Sequence, residues 1–350
     1  MKFDFLKDKP GGAVILVGFF LLGILWSIDF SLNGDIKRSW LSLNFGIKSP
    51  EIFKSILIIG SIFALGIIAY GIYLRGIDDN QNIKKQSRKR AFIFQLMGLN
   101  DSNVAAISEF TNVNSQISPQ IIDVREDLRG GFRIDDAIKK IDNVSKILQA
   151  NIGQLDPADY SIYAGGLAPV PLLFQFGNIL EDEGVVHWMD WDRGQRKWIN
   201  IKNGTHLSKW KTPMLGDING SNEIVLIIDV SYQVEESIVN KAFPDVPIIR
   251  WGPQNKLLGV IADEQSGDEI CNEFRKLLVD LSDAGVNDVR LIIAASSSLV
   301  MKLGSTYDPR NMVPVTVYQY EKELENPYPW GVRVKMVVGE KSTVFVKNTK

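Results

Sequence analysis

Two uncharged apolar runs near the front of this chain limit what the rest of it can be. Residues 11–28 hold 18 positions and residues 55–74 hold 20, with no Asp, Glu, Lys, Arg or His in either. At about 1.5 Å of rise per residue, each run is near the length at which a helix crosses roughly 30 Å of hydrocarbon. Lys2, Lys7 and Lys9 precede the first run, as they would in a secretion signal, but no small-residue cleavage pattern follows Trp26 and Asp29. Residues 1–77 therefore read as an α-helical transmembrane hairpin with spans at 11–28 and 55–74. Three basic residues precede the first span and six follow the second (Arg75, Lys84, Lys85, Arg88, Lys89 and Arg90), against four in the loop between (Lys37, Arg38, Lys48 and Lys54). That asymmetry predicts both termini, and the remainder of the chain, on the cytoplasmic side. Uncharged spans offer no proton relay or ion pathway of their own. Gly60 and Ala64, with Gly66 and Ala69 nearby, stand at the spacing of closely packed helices, including helices of neighbouring subunits. Trp40, Leu41, Leu43 and Phe45 suggest an outer segment lying at the membrane interface.

Beyond the hairpin, residues 78–90 read as a basic juxtamembrane linker, and 91–350 as a soluble part large enough for one domain or two fused small ones. The formal charge of the 350-residue chain is −2, so a polynucleotide partner is not expected, since that partner requires a strongly basic face. Cys271 is the single cysteine, which excludes a disulfide framework and a thiolate metal site.

Strands expected near 120–124, 159–164 and 185–191 alternate with helices, the clearest being the amphipathic stretch 134–152, and residues 92–110 look largely helical. A second alternation follows, with strands near 223–230, 246–251, 257–262, 288–294 and 313–320 and a helix over 266–284. Alternation of this kind predicts a parallel α/β sheet, and the near-continuous apolar strands suit a sheet covered on both faces. The two series echo each other. Ile121-Ile122-Asp123-Val124 returns as Ile227-Ile228-Asp229-Val230, Ala164-Gly165-Gly166 has its counterpart in Ala294-Ala295-Ser296, and each series closes on a short strand carrying Trp198 or Trp330. The halves divide at about 91–205 and 206–350.

Catalytic signatures are poor. His187 and His206 are the only histidines, and strand alternation puts His187 on the face opposite Asp190 and Asp192, which speaks against a metal site there. No phosphate-binding lysine loop, dinucleotide fingerprint or nucleophile elbow occurs. No catalytic, metal or cofactor residue is assigned, and recognition is left as the main task. Asp123 and Asp229 read as loop caps that accept from backbone amides. In open α/β sheets ligands lie beyond the carboxyl ends of strands, where helix N-termini converge. Gly165 and Gly166, followed by Leu167 and Ala168, would let backbone approach a ligand, and Ser296, Ser297 and Ser298 would add hydroxyls at the equivalent place. Both suit phosphate or ribose oxygens, and a triple change of these serines to Val is expected to abolish binding without unfolding the domain.

These stretches resemble the SAVED domain (SMODS-associated, fused to various effectors). The residues that carry the resemblance are Tyr163-Ala164-Gly165-Gly166-Leu167-Ala168-Pro169-Val170-Pro171 with Phe176-Gly177, then the run from His187 to Arg193 leading to Trp198, and Val317-Tyr318-Gln319-Tyr320-Glu321-Lys322 leading to Tyr328-Pro329-Trp330. The resemblance implies two fused CARF-like, Rossmann-like halves with pseudo-twofold symmetry that bind a cyclic oligonucleotide, a cyclic trinucleotide or similar, made by a CD-NTase in bacterial anti-phage (CBASS) defence. It implies a ligand lying across the pseudo-twofold face, touching Gly165 to Ala168, Ser231, Tyr232 and Ser296 to Ser298. Arg125, Arg129 or Arg193 would then meet phosphates, and Trp198, Trp330 or Tyr232 would stack on bases. The implied protein is a non-enzymatic effector of the bacterial inner membrane. It would sense the ligand in the cytoplasm, form a ligand-induced homo-oligomer and disrupt the lipid bilayer. A membrane-tethered nucleotide-processing enzyme and an anchored protein-binding scaffold are the alternatives.

Overall fold

The computed structural model describes residues 12–31, 50–88, 90–99, 104–109, 116–129, 133–180, 185–208, 210, 213, 215–218, 220–334 and 343–346. Two compact units divide after Arg88. The first is a pair of helices, α1 (Gly12–Ser31) and α2 (Pro50–Arg88). Gly18 explains how they meet. A Cβ there would lie 3.1 Å from the Ala64 carbonyl and collide with Ile68, so only glycine lets the backbones come this close. Ala64 is thereby buried inside the hairpin, together with Ile15. Within α2, Ile58–Ile77 is long and apolar enough to cross a bilayer, and Gly12–Ile24 is the apolar stretch of α1. The helix does not stop at the polar residues. Residues 78–88, read from sequence as linker, continue α2, because no Gly or Pro interrupts its hydrogen-bond ladder from Ile77 to Arg88. The interface segment expected at Trp40, Leu41, Leu43 and Phe45 lies outside the described residues, as do the basic residues on which the topology count rests at Lys2, Lys7, Lys9, Lys37, Arg38, Lys48 and Lys89.

The second unit contains two sheets. The first, in the order β2-β1-β3-β4-β5, consists of β1 (Arg90–Met97), β2 (Gln116–Asp123), β3 (Tyr160–Leu167), β4 (Val186–Asp192) and β5 (Lys197–Asn200). Its helices are α3 (Arg125–Leu128), a single turn, α4 (Ile134–Ile152) and α5 (Val170–Ile179). The second sheet uses β6 (Glu223–Asp229), β7 (Ile248–Trp251), β8 (Asp288–Ala294), β9 (Val315–Tyr318), β10 (Trp330–Arg333) and β11 (Thr343–Val346) in the order β11-β10-β9-β8-β6-β7. With it come α6 (Glu236–Ala242), α7 (Glu264–Asp283) and α8 (Ser297–Thr306). In each half four parallel strands are followed by one antiparallel strand, and the second half adds β11 antiparallel to β10 at the edge. The order 2-1-3-4-5 of the first half is thus the order 7-6-8-9-10 of the second.

That equivalence corrects the sequence reading in two places. The strand matching β6 is β1, which was expected to be helical. Its core Ala91, Phe92, Ile93, Phe94 and Leu96 is buried on both faces, and a short continuous apolar run has no period that separates strand from buried helix. The literal echo therefore joins unlike strands: Ile121 sits on the edge strand β2, 57% exposed, whereas Ile227 is 0% exposed in the centre of the other sheet. The strand expected at 257–262 is instead a turn, reversed at Gly259 with φ of 72°, and only Ala262 bridges, to Thr205.

The halves join through α5 and α8. A Cβ on Gly177 would overlap the Met301 carbonyl, and one on Gly304 would overlap the Phe174 carbonyl. Phe174 and Gly177 are three apart, as are Met301 and Gly304, so the contact is reciprocal across a pseudo-twofold axis. Buried Asn178 crosses the same seam, donating to the carbonyls of Gly304 at 3.1 Å and Tyr307 at 2.7 Å. One hydrophobic core runs through both halves as a result. Replacing Gly304 or Gly177 with Ala is expected to cost about 1–3 kcal/mol by overpacking and to lower the thermal midpoint by roughly 2–10 °C. Differential scanning calorimetry checks this against Gly66→Ala, where the added methyl group meets nothing.

Candidate ligand site at the carboxyl ends of the second sheet

The strands of each half point their carboxyl ends toward the N-terminus of the helix at the axis, where an anion would be attracted. Internal acceptors already occupy both ends. Buried Asp190, on β4 of the first half, accepts from the Ser298 amide at 2.9 Å and the Ser298 hydroxyl at 2.6 Å. In the other direction the Gln319 side chain, just after β9, accepts from the Val170 amide at 3.0 Å. Each half thus caps the axial helix of the other. Burial pushes the Asp190 carboxyl above its ordinary value, opposed by the hydrogen bonds from Ser298.

The residues singled out from sequence fall into distinct settings. Gly165 and Gly166 lie within β3, where added Cβ atoms would sit 2.9 Å from the Met189 carbonyl and 2.9 Å from Leu96 Cβ. Their smallness is used by the protein's own packing. The Leu167 carbonyl is held by the amides of Gly98 and Leu99 at 2.7 and 3.0 Å, and Ala168 is buried beside them. Ser298 is 2% exposed, while Ser296 and Ser297 are half-buried. The triple change to Val would take the Ser298 hydroxyl from Asp190, which keeps the backbone amides of residues 298 and 191 as donors. Arg125 forms a two-point ion pair with Asp123 at 2.9 and 2.6 Å, which holds that carboxyl below its ordinary range. Arg129 pairs with Glu126 on the surface, and Arg193 is exposed on the β4–β5 turn. Trp198 and Trp330 are buried, the former edge-on to Trp191 with centroids 5.5 Å apart, so their ring faces are occupied. His187 stacks on Tyr163 at 4.7 Å, away from the Asp190 contact. No group of three or more His, Cys, Asp or Glu arranged for a metal occurs among the described residues.

Tyr232 is different, being 51% exposed on the loop after β6. That loop is set by Asp229, 0% exposed, which pairs with Arg250 and with Lys256 at 2.8 Å and accepts from the Val234 amide at 3.4 Å. Two cations on one buried carboxylate offset the cost of its desolvation, which an unpaired charge would not survive. Asp123 and Asp229 do cap loops, as their positions suggested. Ser231 donates its amide to the Ala294 carbonyl at 2.8 Å, tying the β6 and β8 ends together. The wall built this way encloses a pocket of about 260 Å³ with Tyr232, Val170, Tyr318, Tyr320 and Tyr328 around it. Tyr320 and Tyr328 are 5.5 Å apart between centroids, and burial raises the Tyr328 phenol above its ordinary value. Of the residues named from sequence, Tyr232 alone lines this pocket. Tyr320 and Tyr328 also line it and were not singled out as site residues, although both lie in stretches that carry the resemblance. Their signal was two aromatics at matching distances before and after a hairpin turn.

Two Rossmann-like halves fused about an axis, with a pocket beyond the strand ends, define a two-half α/β fold. The family comparison agrees: residues 141–334 match the SMODS-associated and fused to various effectors (SAVED) sensor domain. That stretch is more than half of the chain, which therefore belongs to the SAVED family, and residues 1–141 match the SAVED-fused 2TM effector domain. No curated protein matches. Among solved structures, the Acinetobacter baumannii Cap4 SAVED/CARF-domain containing receptor with the cyclic trinucleotide 2'3'3'-cAAA aligns at 12% identity and TM-score 0.46 over 79% of this chain and 58% of that one. The same receptor with 3'3'3'-cAAA gives 11% and 0.46 over 81% and 62%. The Moraxella osloensis Cap4 receptor gives 12% and 0.43 over 78% and 56%. This chain thus spans less than two thirds of the length of each.

Asp190→Ala is expected to destabilise the domain by about 1–3 kcal/mol, because the Ser298 amide loses its buried acceptor. Asp190→Asn, which keeps an acceptor, should cost less at neutral pH. With the folded pKa raised above the unfolded value near 3.8, the increment carried by Asp190 is full below 3.8 and lost as pH rises through the folded value. Thermal midpoints measured from pH 4 upward should therefore fall less steeply in Asp190→Asn than in the wild type.

Proposed function

We propose that this chain is a membrane-anchored sensor that binds a cyclic oligonucleotide in its SAVED domain, assembles, and disrupts the bilayer through its helical hairpin. The observation that carries the reading is the pairing of a SAVED sensor domain, with an open pocket beyond the strand ends of its second half, and a two-helix effector domain on one chain. Cyclic trinucleotides are the first ligand class to test, since the Acinetobacter baumannii Cap4 receptor was solved with each of two cAAA rings. The charge balance around the spans supports a bacterial inner-membrane protein with both termini and the sensor in the cytoplasm. A CD-NTase would supply the ring. The half-buried Ser296 and Ser297, together with Ser231 and the exposed Arg129 and Arg193, would offer the wider surface on which such a ring rests, while Gly165 to Ala168 and Ser298 would shape it from within.

Ligand drives assembly only if it binds the assembled form better, by about 10⁴-fold for a near-complete switch. Clustering hairpins through one ligand per chain needs no charge in the spans, and neither span has one. For the full chain in micelles, titration calorimetry with cyclic di-, tri- and tetranucleotides is expected to give saturable binding of at least one ring. That ring should raise the sedimentation coefficient and release dye from liposomes carrying the chain. A panel that leaves all three readouts unchanged sinks the proposal.

A further inference from the structure

We propose that the tyrosine pocket of the second half takes one purine base of the ring and excludes its phosphates. The inference rests on the reading above and names what that site accepts. The chemistry of the walls comes first. Tyr232, Tyr318, Tyr320 and Tyr328 supply aromatic surface, Glu235 is the one charged residue, and no Lys or Arg lines the pocket. A phosphate entering here would lose its water without gaining a cation, and a charge stripped of solvent that way is strongly disfavoured. The fixed attractions for an anion at the two axial helices and at the buried cations are already used. The amide at the start of α5 is held by Gln319, the start of α8 by Asp190, and Arg250 and Lys256 by Asp229.

A neutral planar base meets the opposite balance. Its faces stack on phenol rings, and its ring nitrogens accept from O–H donors. A purine has more stacking area and more such acceptors than a pyrimidine. Size points the same way: about 260 Å³ falls below the roughly 300–1,000 Å³ usual for whole drug-sized ligands, so the pocket accommodates a single base with part of its ribose.

The first half offers no second copy of it among the described residues. The matching face is filled by Ile107, Trp191 and Trp198, packed on Ile93 and Met189, and the Trp198 indole donates to the Ala105 carbonyl at 2.8 Å. Tight turns and a plugged face in one half, against an open pocket in the other, make the two halves unequal readers. One base of the ring is read in the pocket, and the phosphates lie outside it.

The test uses the full chain in nanodiscs, with adenosine, uridine and inorganic phosphate as probes and saturation-transfer NMR as the readout. Adenosine should receive saturation chiefly at its base protons, at least several-fold more than uridine, and excess inorganic phosphate should not displace it. Val170→Phe, which fills the pocket, and Tyr232→Ala, which removes an exposed ring without opening the core, should each cut adenosine transfer about tenfold. Equal transfer to wild type and both variants, loss of adenosine to competing phosphate, or no transfer at all overturns the proposal. Calorimetry with the cyclic ring separates the two readings. A ring that binds both variants as tightly as wild type defeats the pocket assignment alone, whereas adenosine binding without any ring binding defeats the proposed function alone.

Discussion

The glycine contact between α5 and α8 is the constraint on which the sensor domain depends. Gly177 against Met301 and Gly304 against Phe174 bring two backbones closer than any side chain would allow. Everything beside that contact is then at fixed distance: Asn178 reaches across to two carbonyls, and Asp190 and Gln319 each reach the helix of the opposite half. Buried polar groups of this kind add little net stability, yet leaving one unpaired costs far more. They therefore specify one arrangement of the halves rather than simply gluing them together.

Much of this was legible in the sequence. Amphipathic periodicity located α4 over Ile134–Ile152, and apolar strands bounded by turns located β3, β4, β6 and β8. The two Trp-bearing closing strands were found as well, because hairpin turns and spacing are local signals. Other features were written in tertiary contacts. β1 was hidden because burial on both faces erases its period, and the echo in Ile121 to Val124 was a coincidence of composition between an edge strand and a central one. Gly177 and Gly304 are ordinary glycines in sequence, and only the partner backbone shows why they are needed. The site was the least legible part. Glycines and serines at helix starts suggested phosphate, but the structure fills those helix ends with Asp190 and Gln319, side chains from the other half.

Pseudo-symmetry and asymmetry thus divide the work. Five strands of the frame repeat in the same order, with β11 added at the edge of the second sheet, which makes a stable platform around one axis, while the surface above it does not repeat. In the first half Trp198 and Ile107 close the face; in the second, the Asp229 ion cluster holds the Tyr232 loop open beside Tyr320 and Tyr328. The pocket beside this loop is lined by Val170 at the start of α5, one of the two helices through which the halves are joined. The asymmetry makes the second half the place where specificity is proposed to lie.

Amide hydrogen exchange of the full chain in nanodiscs, with and without a cyclic tri-adenylate ring, is the most direct measure of that account. The expected result is slowed exchange concentrated in residues 231–235 and 319–328, with smaller protection along α5 and α8. Protection confined to the end of β3 in the first half, residues 165–168, or none in 231–235 and 319–328 despite bound ring, would contradict it.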